Sequence, residues 1–140
     1  MNATNEMISL AIDLHLFFII AIFLVMIRIY FLLRSDREFR ELSLTYDSWA
    51  LYYRALLGAL LFSGLVVMAV SHFDVGWQVW MMVFLGVGML VHTIKEYMFY
   101  KPTSIKNIQA NEKFISFAKK KYLIELLVLT LVSLVSYFIR

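Results

Sequence analysis

Val75–Lys101, VGWQVWMMVFLGVGMLVHTIKEYMFYK, decides how this chain folds. From Val75 to Ile94 it holds no Asp, Glu, Lys or Arg. As a helix rising about 1.5 Å per residue, those roughly twenty residues reach about 30 Å, the thickness of a bilayer's hydrocarbon core. Trp77 and Trp80 open the stretch, and Tyr97, Tyr100 and Lys101 close it. Such rings favour the headgroup level, so both ends read as membrane interfaces. Beside the second end stand His92, Lys95 and Glu96. Ionisable groups are costly in lipid, so these three call for partners.

Working outward, three more apolar runs have comparable length. The four cover about 10–33, 55–71, 75–98 and 122–139. Lipid offers the backbone no hydrogen-bond partner, so each is expected to be a helix. The predicted fold is an all-α membrane protein, a bundle of four transmembrane helices forming one domain over residues 1–140. Composition agrees: 62% of the residues are hydrophobic, and the 16% that are charged fall mostly into two blocks. The first run starts without positive charge, its first basic residue being Arg28, and is too long for a signal peptide's apolar core. It is expected to stay as a spanning helix. Asn2-Ala3-Thr4 is read as a chance match to a glycosylation sequon. With no cysteine, disulfides and thiolate metal sites are excluded. The net charge of +3 does not point to nucleic acid, because in such a chain the placement of Lys and Arg matters more than their sum.

That placement is one-sided. The segment after the first run carries Arg34, Arg37, Arg40 and Arg54, and the segment after the third carries Lys101, Lys106, Lys113, Lys119, Lys120 and Lys121. Neither the start of the chain nor the Ser71–Gly76 hairpin has a Lys or Arg. Counting Arg28 and Lys95 with their nearer ends, every cation but Arg140 falls on one side. The positive-inside rule puts that side in the cytoplasm and both termini on the outer, periplasmic side of a bacterial inner membrane. In the first basic segment Phe39, Leu42, Tyr46, Trp49 and Tyr53 recur every three or four residues, predicting amphipathic helical turns near the headgroups. In the second, Pro102 stops the third helix, and Thr103 or Ser104 is expected to cap a short helix carrying Ile105 and Ile108. Gly58, Ser63, Gly64, Gly86 and Gly88 suggest where helix backbones approach one another.

This topology sorts the polar residues into two layers. The outer one holds Asp13, His15, His72, Asp74, Met81 and Met82. Imidazole and thioether are haem and soft-metal ligands, so His15 with His72 or with Met81 is a candidate ligand pair, and His15 and Met81 are the candidate metal ligands. Equally, His72 can sit in water at the headgroups, and methionine is a common gap-filler. The inner layer holds Arg28, Arg54, His92, Lys95, Glu96 and Glu125. His92, Lys95 and Glu96 share a helix face. With Glu125 they form either a packing salt bridge or a polar pocket for a proton or substrate, in which Glu125 and Lys95 are the candidate catalytic residues.

Several of these features resemble the four-helix membrane protoporphyrinogen oxidases of the HemJ type and the related CopD-like membrane proteins. They are His15 early in the first helix before Phe18 and Ile20, Gly58 and Gly64 in the second, Gly76-Trp77 opening the third with His92 near its inner end, and Glu125 at the start of the fourth. The resemblance implies a four-helix fold and a haem b ligand at His15. Met81 stands where the family's third-helix lysine would be, and Leu126-Leu127 where its fourth-helix proline would be. What is implied is therefore the fold and the ligand more than the oxidase reaction.

The leading functional expectation is a small inner-membrane protein binding haem b in a redox or haem-pathway role. If it is an enzyme, it is a membrane oxidoreductase. One alternative is copper handling by Met68, His72, Met81, Met82 and His15; another is a non-catalytic membrane subunit or anchor with no cofactor. The bilayer is the expected surrounding, with a homo-oligomer or a membrane redox partner compatible with it.

Overall fold

The computed structural model describes residues 2–72 and 76–138. Asp74 of the outer layer, Arg140 and the outermost residues of the third and fourth apolar runs lie outside them. Four helices follow in order: α1 (Ala3–Arg34), α2 (Phe39–Val70), α3 (Trp77–Tyr100) and α4 (Ile108–Phe138). All four are long and apolar enough to cross a membrane, and no strand occurs among the described residues.

The register is fixed by side chains that meet across the helices. His15 reaches Ser63 and the Arg28 guanidinium lies 5.7 Å from the Trp49 ring, so α1 and α2 run antiparallel. Tyr100 donates to Asp47 across α2 and α3, and Phe99 stacks on Phe117 across α3 and α4. Tyr46 and Tyr53 of α2 meet Phe114 and Glu125 of α4, so α2 and α4 run parallel. α1 packs on both α2 and α4, α4 packs on α3, and α2 touches α3 only lightly.

The helices are longer than the apolar runs. α1 and α2 have 32 residues each and α4 has 31, about 48 Å of helix against a core of roughly 30 Å. The excess of α2 and α4 lies at the basic end, where residues 39–52 and 108–121 continue as helix. Leu33, Leu42, Tyr46, Phe114 and Ala118 are buried there. The aromatic stripe of the first basic segment therefore faces helices rather than headgroups: Leu42, Tyr46 and Tyr53 are buried. Hydropathy detects only the lipid-facing part of such a helix; beyond the lipid, one apolar face is enough to hold it.

Local chemistry sets the ends. Ser35, extended, closes α1 by donating its hydroxyl to the Leu32 carbonyl at 2.6 Å. Thr103 closes α3, its hydroxyl donating to Tyr100 O, and so does not cap the next helix as its position suggested. α4 is capped by Asn107, whose Oδ1 accepts from the Ala110 N–H at 3.2 Å. His72 follows α2 with φ of 55°, the left-handed conformation that commonly ends a helix. The small residues divide. Gly64 lies under the His15 ring, and a methyl at Gly86 would come within 2.6 Å of Leu61 Cδ2, whereas Gly58 and Gly88 face open space.

The Tyr46 hydroxyl is buried with no hydrogen-bond partner among the described residues. Its removal forfeits nothing, so Tyr46→Phe should leave stability unchanged or raise it by up to about 1 kcal/mol, read from unfolding in mixed micelles.

Candidate functional site

Where the apolar spans give way to the basic end, three helices aim ionisable side chains at one another. α2 supplies Tyr53, α3 supplies His92 and Glu96, and α4 supplies Lys121, Tyr122 and Glu125. On α4 the buried residues Phe114, Ala118, Lys121, Tyr122, Glu125, Leu129 and Val132 recur at three and four, one continuous stripe. Lys121 and Glu125 belong to it by spacing alone, so an ammonium and a carboxylate are carried into the bundle on the same face.

Lys121 is the centre. Its Nζ is 2.6 Å from Glu96 Oε2 and 3.8 Å from Glu125 Oε2, with side-chain exposures of 1%, 4% and 3% respectively. It also lies 4.2 Å from the centroids of both the Tyr53 and Tyr122 rings, within cation–π range. The Tyr53 hydroxyl donates to Glu125 Oε2 at 2.6 Å and the Tyr122 hydroxyl to Glu96 Oε1 at 3.0 Å. The two rings meet edge to face at 5.3 Å, which holds both phenols in place.

The remaining oxygen, Glu125 Oε1, faces His92 Nδ1 at 3.5 Å. Neither atom makes a hydrogen bond among the described residues. His92 is 38% exposed at its side chain against 3% for Glu125, so the imidazole reaches from the surroundings to the buried carboxylate. With neutral His92 the cluster holds two carboxylates and one ammonium, one negative charge in excess. One further proton makes it neutral.

Of the inner layer, the structure brings together His92, Glu96 and Glu125. Lys95 is exposed, and Lys121 holds the place expected for it. Arg28 and Arg54 are exposed as well. Lys121, Tyr53 and Tyr122 are the residues that sequence reasoning missed. Lys121 was hidden at the end of the Lys119–Lys121 run, although its spacing of four from Glu125 was the available signal.

The outer layer is looser. His15 Nδ1 is 2.8 Å from the Ser63 hydroxyl, which in turn donates to the Leu60 carbonyl at 3.0 Å. The ring's Nε2 is the nitrogen left for a metal, the arrangement in which a second group orients a ligating histidine. His72 lies past the end of α2 at Val70, and the seven helical residues from Ser63 to Val70 already separate it from the Ser63 level by roughly 10 Å. Met81 is nearer in depth: Gly86 sits at the level of Leu61, which sets Met81 within about 5 Å of the Ser63 level. Among the described residues no group of three or more His, Asp or Glu side chains is arranged to hold a metal ion. By depth, Met81 stands closer to the level of His15 and Ser63 than His72 does. Ser63→Ala should cost about 0.6 kcal/mol in unfolding, the usual worth of a hydrogen bond between membrane helices.

Comparison with family models, with curated proteins and with solved structures gives no match to this chain.

Proposed function

We propose that this chain is a multi-pass protein of the bacterial inner membrane, with its basic end in the cytoplasm, that takes up and releases a proton at the Glu96–Lys121–Glu125 cluster. The observation that carries this reading is the ammonium of Lys121 shared by two buried carboxylates, one of which faces the half-exposed His92. The single excess negative charge supplies the affinity for a proton. His92 supplies the route, accepting a proton from the cytoplasmic boundary and passing it to Glu125 Oε1. Tyr53 and Tyr122 orient the carboxylates through the hydrogen bonds that their phenols donate. If an enzymatic step is attached to this site, the role of the cluster is to deliver or receive its proton.

Infrared pH titration of the reconstituted protein tests the proposal. A band of a protonated buried carboxyl is expected to appear and vanish with pH in the wild type and to be absent from Glu125→Gln. If no carboxyl band responds to pH while both proteins are folded, the cluster only fixes helix register and the chain is a membrane subunit or anchor.

A second reading, haem b in the outer layer, is favoured by the hydrogen bond between His15 Nδ1 and Ser63. His15 would hold the iron through Nε2 and Met81 would be the second ligand. Bound haem would add electron transfer, placing proton and electron chemistry in one small bundle. Protein purified after haem supplementation should then show a Soret band that His15→Ala abolishes. A band that survives in His15→Ala, or none at all, removes this reading.

A further inference from the structure

We infer that the basic end carries a binding site for one anionic phospholipid, seated between the last turn of α3 and the first half of α4. An open groove of about 410 Å³ lies there, lined by Phe99, Glu112, Lys113, Ser116, Phe117 and Lys120. On α4, Lys113, Ser116, Phe117 and Lys120 stand at spacings of three and four, so two ammonium groups and a hydroxyl face the same groove. The floor is the stacked pair Phe99 and Phe117, with centroids 4.7 Å apart and planes at 30°.

Depth selects the occupant. Lys120 immediately precedes Lys121, at the edge of the apolar span, and Lys113 lies about 10 Å further out. The headgroup layer is roughly 5–8 Å thick on each side of the hydrocarbon core. The groove therefore opens at the hydrocarbon boundary and crosses the layer in which lipid phosphates sit. Above it α4 exposes Ile124 and Leu127 and α3 exposes Val91, with the exposed Lys95 between Val91 and Phe99 on the same stripe. Acyl chains can follow that seam while the phosphate stays in the groove.

Charge selects the class. Lys113 and Lys120 against Glu112 leave one net positive charge, which matches a lipid carrying a single negative charge. Lysine binds phosphate as a point charge and needs no fixed fork geometry. The Ser116 hydroxyl adds a neutral donor for the phosphate or the glycerol ester. The aromatic pair gives the glycerol region an apolar seat at the interface.

Native mass spectrometry of the delipidated full chain, with added phosphatidylglycerol, phosphatidylethanolamine or phosphatidylcholine, tests this inference. Phosphatidylglycerol is expected to bind at least about tenfold more tightly than the other two. Each lysine near an anionic lipid contributes about fivefold, so Lys113→Gln with Lys120→Gln should weaken phosphatidylglycerol about twenty-five-fold. Lys101→Gln with Lys106→Gln removes the same charge from the same end and should change binding less than about threefold. Glycerol 3-phosphate should not compete. Equal retention of the three lipids, equal losses in the two double variants, or displacement by glycerol 3-phosphate would each overturn the site.

Discussion

Lys121→Met is expected to destabilise the protein by about 3–5 kcal/mol, the cost of removing one partner from a buried ion pair. With Lys121 in place the two carboxylates and one ammonium sum to one negative charge; without it two negative charges face each other among buried side chains. Lys95 does not replace it, because that side chain is exposed. The chain cannot tolerate both charges in a water-poor interior, so it either unfolds there or binds two protons. Adding Glu96→Gln and Glu125→Gln should restore most of the loss, since the triple variant buries no net charge. Glu125→Gln alone should be mild: it leaves Lys121 and Glu96 paired at 2.6 Å with nothing in excess. Unfolding by denaturing detergent separates these outcomes. A Lys121→Met variant as stable as the wild type would mean that the ammonium does not lie between the carboxylates.

His92→Ala should slow proton exchange at the cluster by roughly a hundredfold, the low end of what a positioned acid–base group supplies. Stability should change little, because the side chain is partly exposed and makes no hydrogen bond that folding depends on. The distinction matters: a structural salt bridge would lose stability and leave exchange alone, whereas a relay loses rate and keeps stability. Infrared detection after a rapid pH jump reads the rate, and imidazole added to the buffer should restore part of it in the variant. An unchanged rate in His92→Ala would put the proton's route elsewhere, with Lys121 the remaining group that contacts both carboxylates.

Much of the architecture was legible because lipid leaves the backbone few options. Four uncharged or nearly uncharged runs had to be helices, and the structure has four helices long and apolar enough to span. The helical extensions were only partly legible. The three-and-four stripe from Phe39 to Tyr53 predicted the helical turns at the start of α2, but residues 108–121 are rich in charge, and hydropathy reads charge as the end of a helix, although one apolar face suffices outside lipid. The same error hid the centre of the site. Lys119-Lys120-Lys121 looks like a solvated basic run, and only helical phase separates Lys121, on the stripe of Phe114, Ala118 and Glu125, from its neighbours. Conversely, Lys95 lies beside Glu96 in sequence but is turned about 100° away on the helix, which is enough to put it outside the bundle. Depth was readable for His15, Met81 and His72, but two residues on the same side of a membrane can still be roughly 10 Å apart along it.

Lys121 lies buried between two carboxylates, whereas Lys120 beside it is exposed. Amine acylation of the folded protein in lipid nanodiscs, followed residue by residue by mass spectrometry, measures this directly. Lys120, exposed, should react at the rate of a free amine, Lys119 more slowly, and Lys121, with a side chain 1% exposed, at least about a hundredfold more slowly until the protein is denatured. Reaction of Lys121 at the rate of Lys120 in the folded state would contradict the cluster and the proton chemistry built on it.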